Sequence, residues 1–253
     1  MLEGGFVLEL QGVSKTFGEL QVLRGIDLHL RQGTVSGLIG PNGSGKTTLV
    51  NIITGVYPPD SGRVLLDGKD ISRASADQIT RLGVSRSFQN VRIFNRMSVL
   101  DNVIAALIGH DKAGLTTLLG RAKRTGDPKV TTARQALKTV GLLEQRNLSA
   151  SELPLPLRRR LEIARALACD PKVLVLDEPA GGMTPAETAS ISELIRSRIA
   201  PGRTCIVIEH KMDLISHVCQ HLCVLNHGEK IAEGDPRSVV SQPEVIEAYL
   251  GRV

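Results

Sequence analysis

One glycine-rich turn constrains this chain more than any other feature. Residues 35–54 read VSGLIGPNGSGKTTLVNIIT, a short apolar run followed by the turn and then by an amphipathic segment. Residues 40–47 fit the pattern G-x-x-x-x-G-K-[ST], in which backbone N–H groups and the positive end of a helix dipole face phosphate oxygens. The turn therefore predicts a nucleotide-binding loop, with these phosphate-binding residues: Gly40, Pro41, Asn42, Gly43, Ser44, Gly45, Lys46, Thr47 and Thr48.

Two carboxylates far along the chain fit the same chemistry. Residues 173–176 (VLVL) form a continuous apolar run, typical of a strand buried in a parallel sheet, and Asp177 and Glu178 follow it directly. Ligands of open α/β sheets bind at the carboxyl ends of strands, so both side chains should face the phosphates. We expect Lys46 to contact the β- and γ-phosphates, and Thr47 and Asp177 to hold Mg²⁺. Glu178 would then deprotonate the attacking water.

The order of elements predicts a parallel, doubly wound α/β core. Two strands are expected within residues 6–30, one between two turns within 58–70, and further strands at 35–39, 84–88, 173–176, 205–208 and 222–225. Helices are expected at 77–82, 98–108, 130–140, 157–168, 185–199 and 211–219, followed by two short helices at the end. Residues 109–128, with four glycines, are expected to form a loop. Strands that alternate with helices around such a loop are typical of an α/β P-loop NTPase.

Composition narrows the choice of partners and compartment. The net charge of +5 permits an anionic partner, but aromatic residues make up only 2% of the chain, so base-stacking surfaces are scarce and we expect no nucleic acid. We also expect neither a membrane-spanning segment nor a secretion signal. The four cysteines lack the spacing of a disulfide framework, as in proteins of a reducing cytoplasm.

Three further residues complete a recognisable set. Gln89 follows one predicted strand, and His210 follows the strand at 205–208. Together with the two motifs above they resemble the nucleotide-binding domain of ATP-binding-cassette (ABC) proteins over essentially the whole chain. By this resemblance Gln89 contacts Mg²⁺ and the lytic water, His210 contacts the γ-phosphate, and Phe17 stacks on adenine.

Finer matches resemble one branch of that family. Arg-Ser-Phe-Gln-Asn-Val-Arg at 86–92, the segments at 163–167 and 177–185, Ile-Glu-His at 208–210 and the ending Val-Ile-Glu-Ala-Tyr-Leu-Gly at 245–251 look like the ATPase of branched-chain amino acid importers. Such importers use two different ATPases, and this chain resembles one of them. The related lipopolysaccharide-export ATPase shares much of the tail but usually lacks the stretch at 88–92.

One motif departs from the family pattern. The signature, Leu-Ser-Gly-Gly-Gln or a close variant, acts in trans on the ATP of the other subunit. The aligned residues here are Leu153, Pro154, Leu155, Pro156 and Leu157, so proline takes the serine and glycine positions. Proline has no N–H to offer a phosphate, and its ring crowds close approach of the backbone. We therefore expect a weakened site on the partner's nucleotide, unless the loop shifts and Arg158 supplies the missing donor.

The resemblance implies one ABC ATPase domain over 1–253. Residues 1–90 and 161–253 would form the catalytic core, with a RecA-like fold and an N-terminal antiparallel β region, and 91–160 a helical subdomain. The implied cofactors are ATP and Mg²⁺. The implied partners are a second ATPase subunit in a head-to-tail dimer, a membrane permease at the cytoplasmic face and, indirectly, a solute-binding protein. The implied cargo is a branched-chain or related amino acid. Two alternatives stay open: a soluble or export-type ABC ATPase, and a subunit impaired by its signature.

Overall fold

A computed structural model describes residues 5–87, 93–110 and 127–250. Its strands are β1 (Phe6–Phe17), β2 (Leu20–Arg31), β3 (Val35–Ile39), β4 (Ser61–Leu66), β5 (Lys69–Asp70), β6 (Val84–Ser87), β7 (Val173–Asp177), β8 (Thr204–Ile208), β9 (His221–Asn226) and β10 (Glu229–Gly234). Its α-helices are α1 (Lys46–Ile53), α2 (Ala76–Leu82), α3 (Val99–His110), α4 (Pro128–Val140), α5 (Leu155–Ala168), α6 (Pro185–Leu194), α7 (Met212–Val218), α8 (Pro236–Val239) and α9 (Pro243–Leu250).

The central sheet is parallel except at one edge. Its strand order is β10-β9-β3-β8-β7-β6, and only β10 pairs antiparallel, with β9. Every residue of β3, β7 and β8 is buried, as expected for apolar strands covered on both faces. Because β3, β8 and β7 are neighbours, the residues that follow them meet at one edge of the sheet. The predicted α/β class is confirmed.

The second sheet is antiparallel, with the order β2-β1-β4-β5. The described residues contain two separate apolar cores, and both include side chains of the central sheet. Val173 and Val175 belong to the core between the two sheets, which also holds α1, whereas Leu174 and Leu176 belong to the core beneath α3 to α7. Because successive side chains of β7 point to opposite faces of the sheet, this strand contributes to both cores.

Several predicted boundaries are wrong. Helix α5 begins at Leu155, two residues earlier than expected, because Pro154 is its N-cap and Pro156 lies in its first turn, where no N–H is needed. Helix α3 continues to His110, and α4 begins at Pro128 behind the N-cap Asp127, so both ends of the expected loop are helical. The predicted helix at 185–199 changes to π-helical geometry at Ile195–Ile199. Strand β10 was not predicted.

Candidate functional site: a phosphate-binding loop facing paired acidic and histidine side chains

The loop after β3 has the backbone geometry that its glycines predict. Gly40, Gly43 and Gly45 all have positive φ angles, of 150°, 78° and 106°. A Cβ atom on Gly40 would lie 2.0 Å from the carbonyl oxygen of Leu225, and one on Gly45 would lie 2.7 Å from a methyl carbon of Leu23. Only glycine fits the turn at these two positions. Gly45 is the N-cap of α1, so the positive end of the helix dipole faces the loop. The first turn of α1 holds no acidic side chain that would offset this positive end.

Lys46 lies inside this turn. Its side chain is buried, and Nζ donates to the carbonyl oxygens of Gly40 at 2.8 Å and Pro41 at 2.9 Å. Burial lowers the pKa of Lys46, while the nearby carboxylates of Glu178 and Asp177 act in the opposite direction. The lysine therefore lies within electrostatic reach of both predicted acidic residues.

The other residues of the loop differ in their exposure, and Ser44 Oγ lies 3.4 Å from the Lys46 Nζ. Ser44 is buried, and its carbonyl oxygen accepts the N–H of Gly228 at 3.1 Å. Thr47 is exposed and Thr48 half-buried in the first turn of α1, and Asn42 is exposed at the tip of the loop. Tyr249 of α9 also contacts the loop: burial raises the pKa of its phenol, and a hydrogen bond with the Gly40 backbone partly offsets that rise.

Asp177 ends β7 and is held by an arginine that sequence reasoning missed. Arg86 of β6 donates from Nε and Nη2 to Asp177 Oδ2, at 3.2 and 2.5 Å, and from Nη1 to Asn51 Oδ1 at 2.7 Å. Both charged side chains are only 8% exposed. Ser87 Oγ accepts the N–H of Asp177 at 3.3 Å. The pair ties β6, β7 and α1 together beneath the phosphate-binding loop.

Glu178 and His210 meet across the ends of β7 and β8. Nε2 of His210 lies 3.4 Å from Oε1 of Glu178, and the Glu178 N–H donates to the carbonyl oxygen of Ile208 at 2.9 Å. Glu178 has a φ of 47°, an uncommon conformation for a residue other than glycine. Such strain is concentrated at functional sites. The structure thus brings together the residues predicted to act on the γ-phosphate.

Phe17 lies at the end of β1 and is 42% exposed. Its ring packs edge-to-face on Tyr57, with 5.3 Å between centroids, and Lys15 Nζ lies 5.6 Å from the Phe17 centroid. Tyr57 was not singled out from the sequence, because nothing in its local pattern distinguishes it from a turn residue. Gln89 falls outside the described residues, so its role stays a prediction.

The signature segment forms the start of α5. Its helix has no side-chain cap, and Leu155 at the start is 40% exposed. Arg158, the alternative donor, is turned onto its own loop: its Nε donates to the Leu153 carbonyl oxygen at 2.6 Å, and its Nη2 to that of Ser151 at 2.7 Å. Leu155 also faces the loop after β7, since a Cβ on Gly182 would lie 3.3 Å from its methyl group.

No helix in the described part of the chain is long and apolar enough to cross a membrane.

Comparison with known proteins places this geometry in a family. The model of the ABC transporter family matches residues 23–181, and that of the branched-chain amino acid ATP-binding cassette transporter family matches residues 229–253. The high-affinity branched-chain amino acid transport ATP-binding protein BraF of Pseudomonas aeruginosa is 38% identical over 97% of this chain and 98% of its own length.

Solved structures of ABC transporter cassettes also resemble this chain. The ADP conformation of MJ1267, an ATP-binding cassette of an ABC transporter, is 33% identical, with a TM-score of 0.87 over 98% of this chain and 99% of that one. The dimeric structure of MJ0796, a bacterial ABC transporter cassette, is 26% identical, with a TM-score of 0.77 over 91% and 99%. This chain belongs to the ABC transporter family of ATP-binding, ATP-hydrolysing cassettes, on the branch of the branched-chain amino acid transport proteins.

Proposed function

We propose that this chain is the ATP-hydrolysing subunit of an ABC importer that takes up branched-chain or related amino acids. The observation that carries the enzymatic part is the meeting of Lys46, Glu178 and His210 at one edge of the central sheet. The cargo rests on the relatives' names, because an ATPase subunit does not itself contact the transported solute. An extracytoplasmic solute-binding protein would deliver that cargo.

The oxygen ligands at this edge fit Mg²⁺, which prefers carboxylate, hydroxyl and phosphate oxygens. Thr47 Oγ1 and the Asp177 carboxylate are the ligands that the described residues would supply, and Gln89 is the third residue that the motif predicts. When bound, Mg²⁺ neutralises charge on the β- and γ-phosphates. Arg86 fixes the Asp177 carboxylate in place for this task.

Hydrolysis is assigned to Glu178 and His210. The Glu178 carboxylate would accept a proton from water as that water attacks the γ-phosphorus, and the bond from this phosphorus to the bridging oxygen of ADP breaks. His210, whose Nε2 lies 3.4 Å from Glu178 Oε1, would contact both this carboxylate and the γ-phosphate. Lys46 would balance the negative charge of the phosphates. Phe17, with Tyr57 beside it, would provide the surface for adenine.

We further propose that the chain works as half of an asymmetric dimer. In an ABC dimer each ATP lies between the P-loop of one subunit and the signature of the other. This chain has a complete P-loop with Asp177 and Glu178, but Pro154 and Pro156 remove donors from its signature. A companion ATPase with an ordinary signature would complete the site on this chain, whereas the companion's own ATP would face the weakened segment.

A permease is proposed to dock in a groove between α2, β6, α3 and α5. The groove measures about 580 Å³ and is lined by residues that include Arg81, Arg86, Phe94 and Arg165. Phe94 is half exposed, and the Arg165 guanidinium lies 5.3 Å from its ring centroid. Docking there would hold the chain at the cytoplasmic face of the membrane through its partners, as a peripheral subunit.

Two substitutions separate nucleotide binding from turnover. Glu178→Gln should leave ATP affinity unchanged and nearly abolish hydrolysis, because the carboxylate acts on the water. Lys46→Ala should weaken binding itself, because a charge-assisted contact to phosphate is lost. Both are measured in the assembled transporter, by equilibrium binding and single-turnover hydrolysis, with uptake of radiolabelled leucine as the transport assay. Glu193→Gln, on the exposed face of α6, is the control. Turnover close to wild type in Glu178→Gln would exclude Glu178 as the base.

A further inference from the structure

One buried carboxylate joins the loops after β7 and β8. It belongs neither to the P-loop nor to the predicted metal ligands. Glu209 is only 2% exposed. Its Oε1 accepts the N–H of Ala180 at 2.8 Å, and its Oε2 accepts the N–H of His210 at 3.0 Å and that of Lys211 at 3.4 Å. A buried charge of this kind is retained only where hydrogen bonds compensate its loss of water.

Each of these bonds fixes the backbone beside a residue assigned to hydrolysis. The Ala180 N–H lies two residues after Glu178, whose own N–H donates to the Ile208 carbonyl oxygen at 2.9 Å. The chain is therefore held on both sides of Glu178, which has a φ of 47°. A strained φ of this kind persists only where the surroundings determine it.

Lys211 reinforces the same connection with the opposite charge. Its Nζ donates to the carbonyl oxygens of Ala180 at 3.1 Å and Met183 at 2.8 Å, and to Thr188 Oγ1 at 2.7 Å. Ala180 thus has its N–H bound by the Glu209 carboxylate and its carbonyl oxygen bound by the Lys211 ammonium group. Two residues that flank His210 hold the loop that begins at Glu178.

We propose that Glu209 is a positioning residue for ATP hydrolysis, and that it sets the distance and orientation between Glu178 and His210. The inference rests on the proposed function, because it concerns the same site. Glu209 is not placed to act as the base itself, since backbone N–H groups occupy both of its oxygens. The two side chains lie 3.4 Å apart, and a displacement of about 1 Å in either would disturb the alignment that hydrolysis requires.

The test compares Glu209→Ala and Glu209→Gln in the assembled transporter. Misplacement by about 1 Å costs on the order of a hundredfold in rate, so kcat of Glu209→Ala should fall roughly 10- to 100-fold while KM for ATP and nucleotide affinity stay at wild-type values. Glu209→Gln should recover part of the rate, because its amide oxygen still accepts the Ala180 N–H. Glu193→Ala, which removes an exposed carboxylate bound to Arg196, should keep the wild-type rate.

A combination with Glu178→Gln distinguishes positioning from a general loss of stability. If Glu209 acts through Glu178, the double variant Glu178→Gln/Glu209→Ala should retain the residual rate of Glu178→Gln alone. Hydrogen exchange on the full chain gives a readout that needs no turnover: the amides of Ala180 and His210 should exchange faster in Glu209→Ala.

Three results would overturn the proposal: a wild-type kcat in Glu209→Ala, a rise in KM with kcat unchanged, or rate losses that multiply in the double variant. A wild-type transporter that binds ATP without hydrolysing it would instead count against the proposed function. The exchange experiment would still show whether Glu209 holds the two loops.

Discussion

The guanidinium of Arg86 makes two hydrogen bonds to Asp177 Oδ2, at 3.2 and 2.5 Å, between side chains that are each 8% exposed. The contact joins neighbouring parallel strands at the point where β7 reaches the phosphate-binding loop. Arg86 also lies only three positions before Gln89 in the sequence. Arg86 therefore connects the groove proposed to bind the permease with the carboxylate expected to hold Mg²⁺.

Loss of one partner from this pair should destabilise the fold. Arg86→Gln leaves the Asp177 charge buried without its counterion, which costs about 3 kcal/mol or more and corresponds to a fall in Tm of roughly 6–12 °C for a chain of this size. Thermal denaturation of the full chain measures this fall in Tm. Arg81→Gln, which breaks the solvent-exposed pair with Asp77, is the control and should cost under about 1 kcal/mol. Equal shifts in the two variants would show that the Arg86 pair has no special role.

Gly40 should tolerate no side chain. Gly40→Ala places a Cβ 2.0 Å from the Leu225 carbonyl oxygen, in backbone that cannot move without disturbing β9. We expect a loss of about 3 kcal/mol or more in unfolding free energy, together with weakened ATP binding. Gly202→Ala is the matched control: its φ is also positive, at 72°, but the space around it is open, so it should cost about 1 kcal/mol. Denaturation in urea compares the unfolding free energies of the two variants. A Gly40→Ala variant as stable as Gly202→Ala would contradict the geometry of the turn.

The cysteines should differ sharply in reactivity. Burial raises the pKa of the Cys205, Cys219 and Cys223 thiols to about 12, so at neutral pH they hold almost no nucleophilic thiolate. Cys169 is partly exposed. Iodoacetamide at pH 7.5 should therefore modify Cys169 first in the native chain, and all four thiols in denaturant. Mass spectrometry of wild type and Cys169→Ser checks this. Rapid native labelling of Cys169→Ser would show that the core is more open than described.

Restoring the signature should raise ATPase activity. A lost hydrogen-bond donor to transition-state charge costs on the order of 3 kcal/mol, about a hundredfold in rate. The double change Pro154→Ser with Pro156→Gly returns a hydroxyl and a backbone N–H to the start of α5, so turnover should increase in the homodimer and in the mixed complex. Pro128→Gly, in the first turn of α4, is the control for losing a proline at a helix start. No increase in either assembly would mean that the prolines do not impair the site.

The sequence alone was enough to predict the elements around the candidate nucleotide site. The P-loop, the apolar strands β7 and β8 and the residues after them are strong local signals, and they determine which edge of the sheet holds the site. Strand β10 escaped prediction because it is an edge strand with one buried residue, Ala232, in the segment EKIAEG, so it lacks an apolar run. The start of α5 could have been found from the preference of proline for the first turn of a helix.

Contacts between distant residues were the part that local patterns could not supply. Arg86 and Asp177 are 91 positions apart, and Glu209 and Ala180 are 29 apart. Arg86, Asp177 and Glu209 are charged residues whose roles depend on which strands lie side by side, and strand order is a tertiary property. The Phe17–Tyr57 contact, between the end of β1 and the turn after α1, was missed for the same reason.

We expect the assembled dimer to hydrolyse ATP at the site on this chain's own P-loop, and far more slowly at the site facing Pro154 and Pro156. The most direct measurement compares ATP turnover of two singly substituted transporters. One carries Glu178→Gln in this chain, and the other carries the equivalent change in the companion ATPase. The first transporter should lose nearly all turnover, and the second should keep most of it. Equal losses, or a transporter that keeps its turnover with Glu178→Gln, would contradict this asymmetry between the two sites.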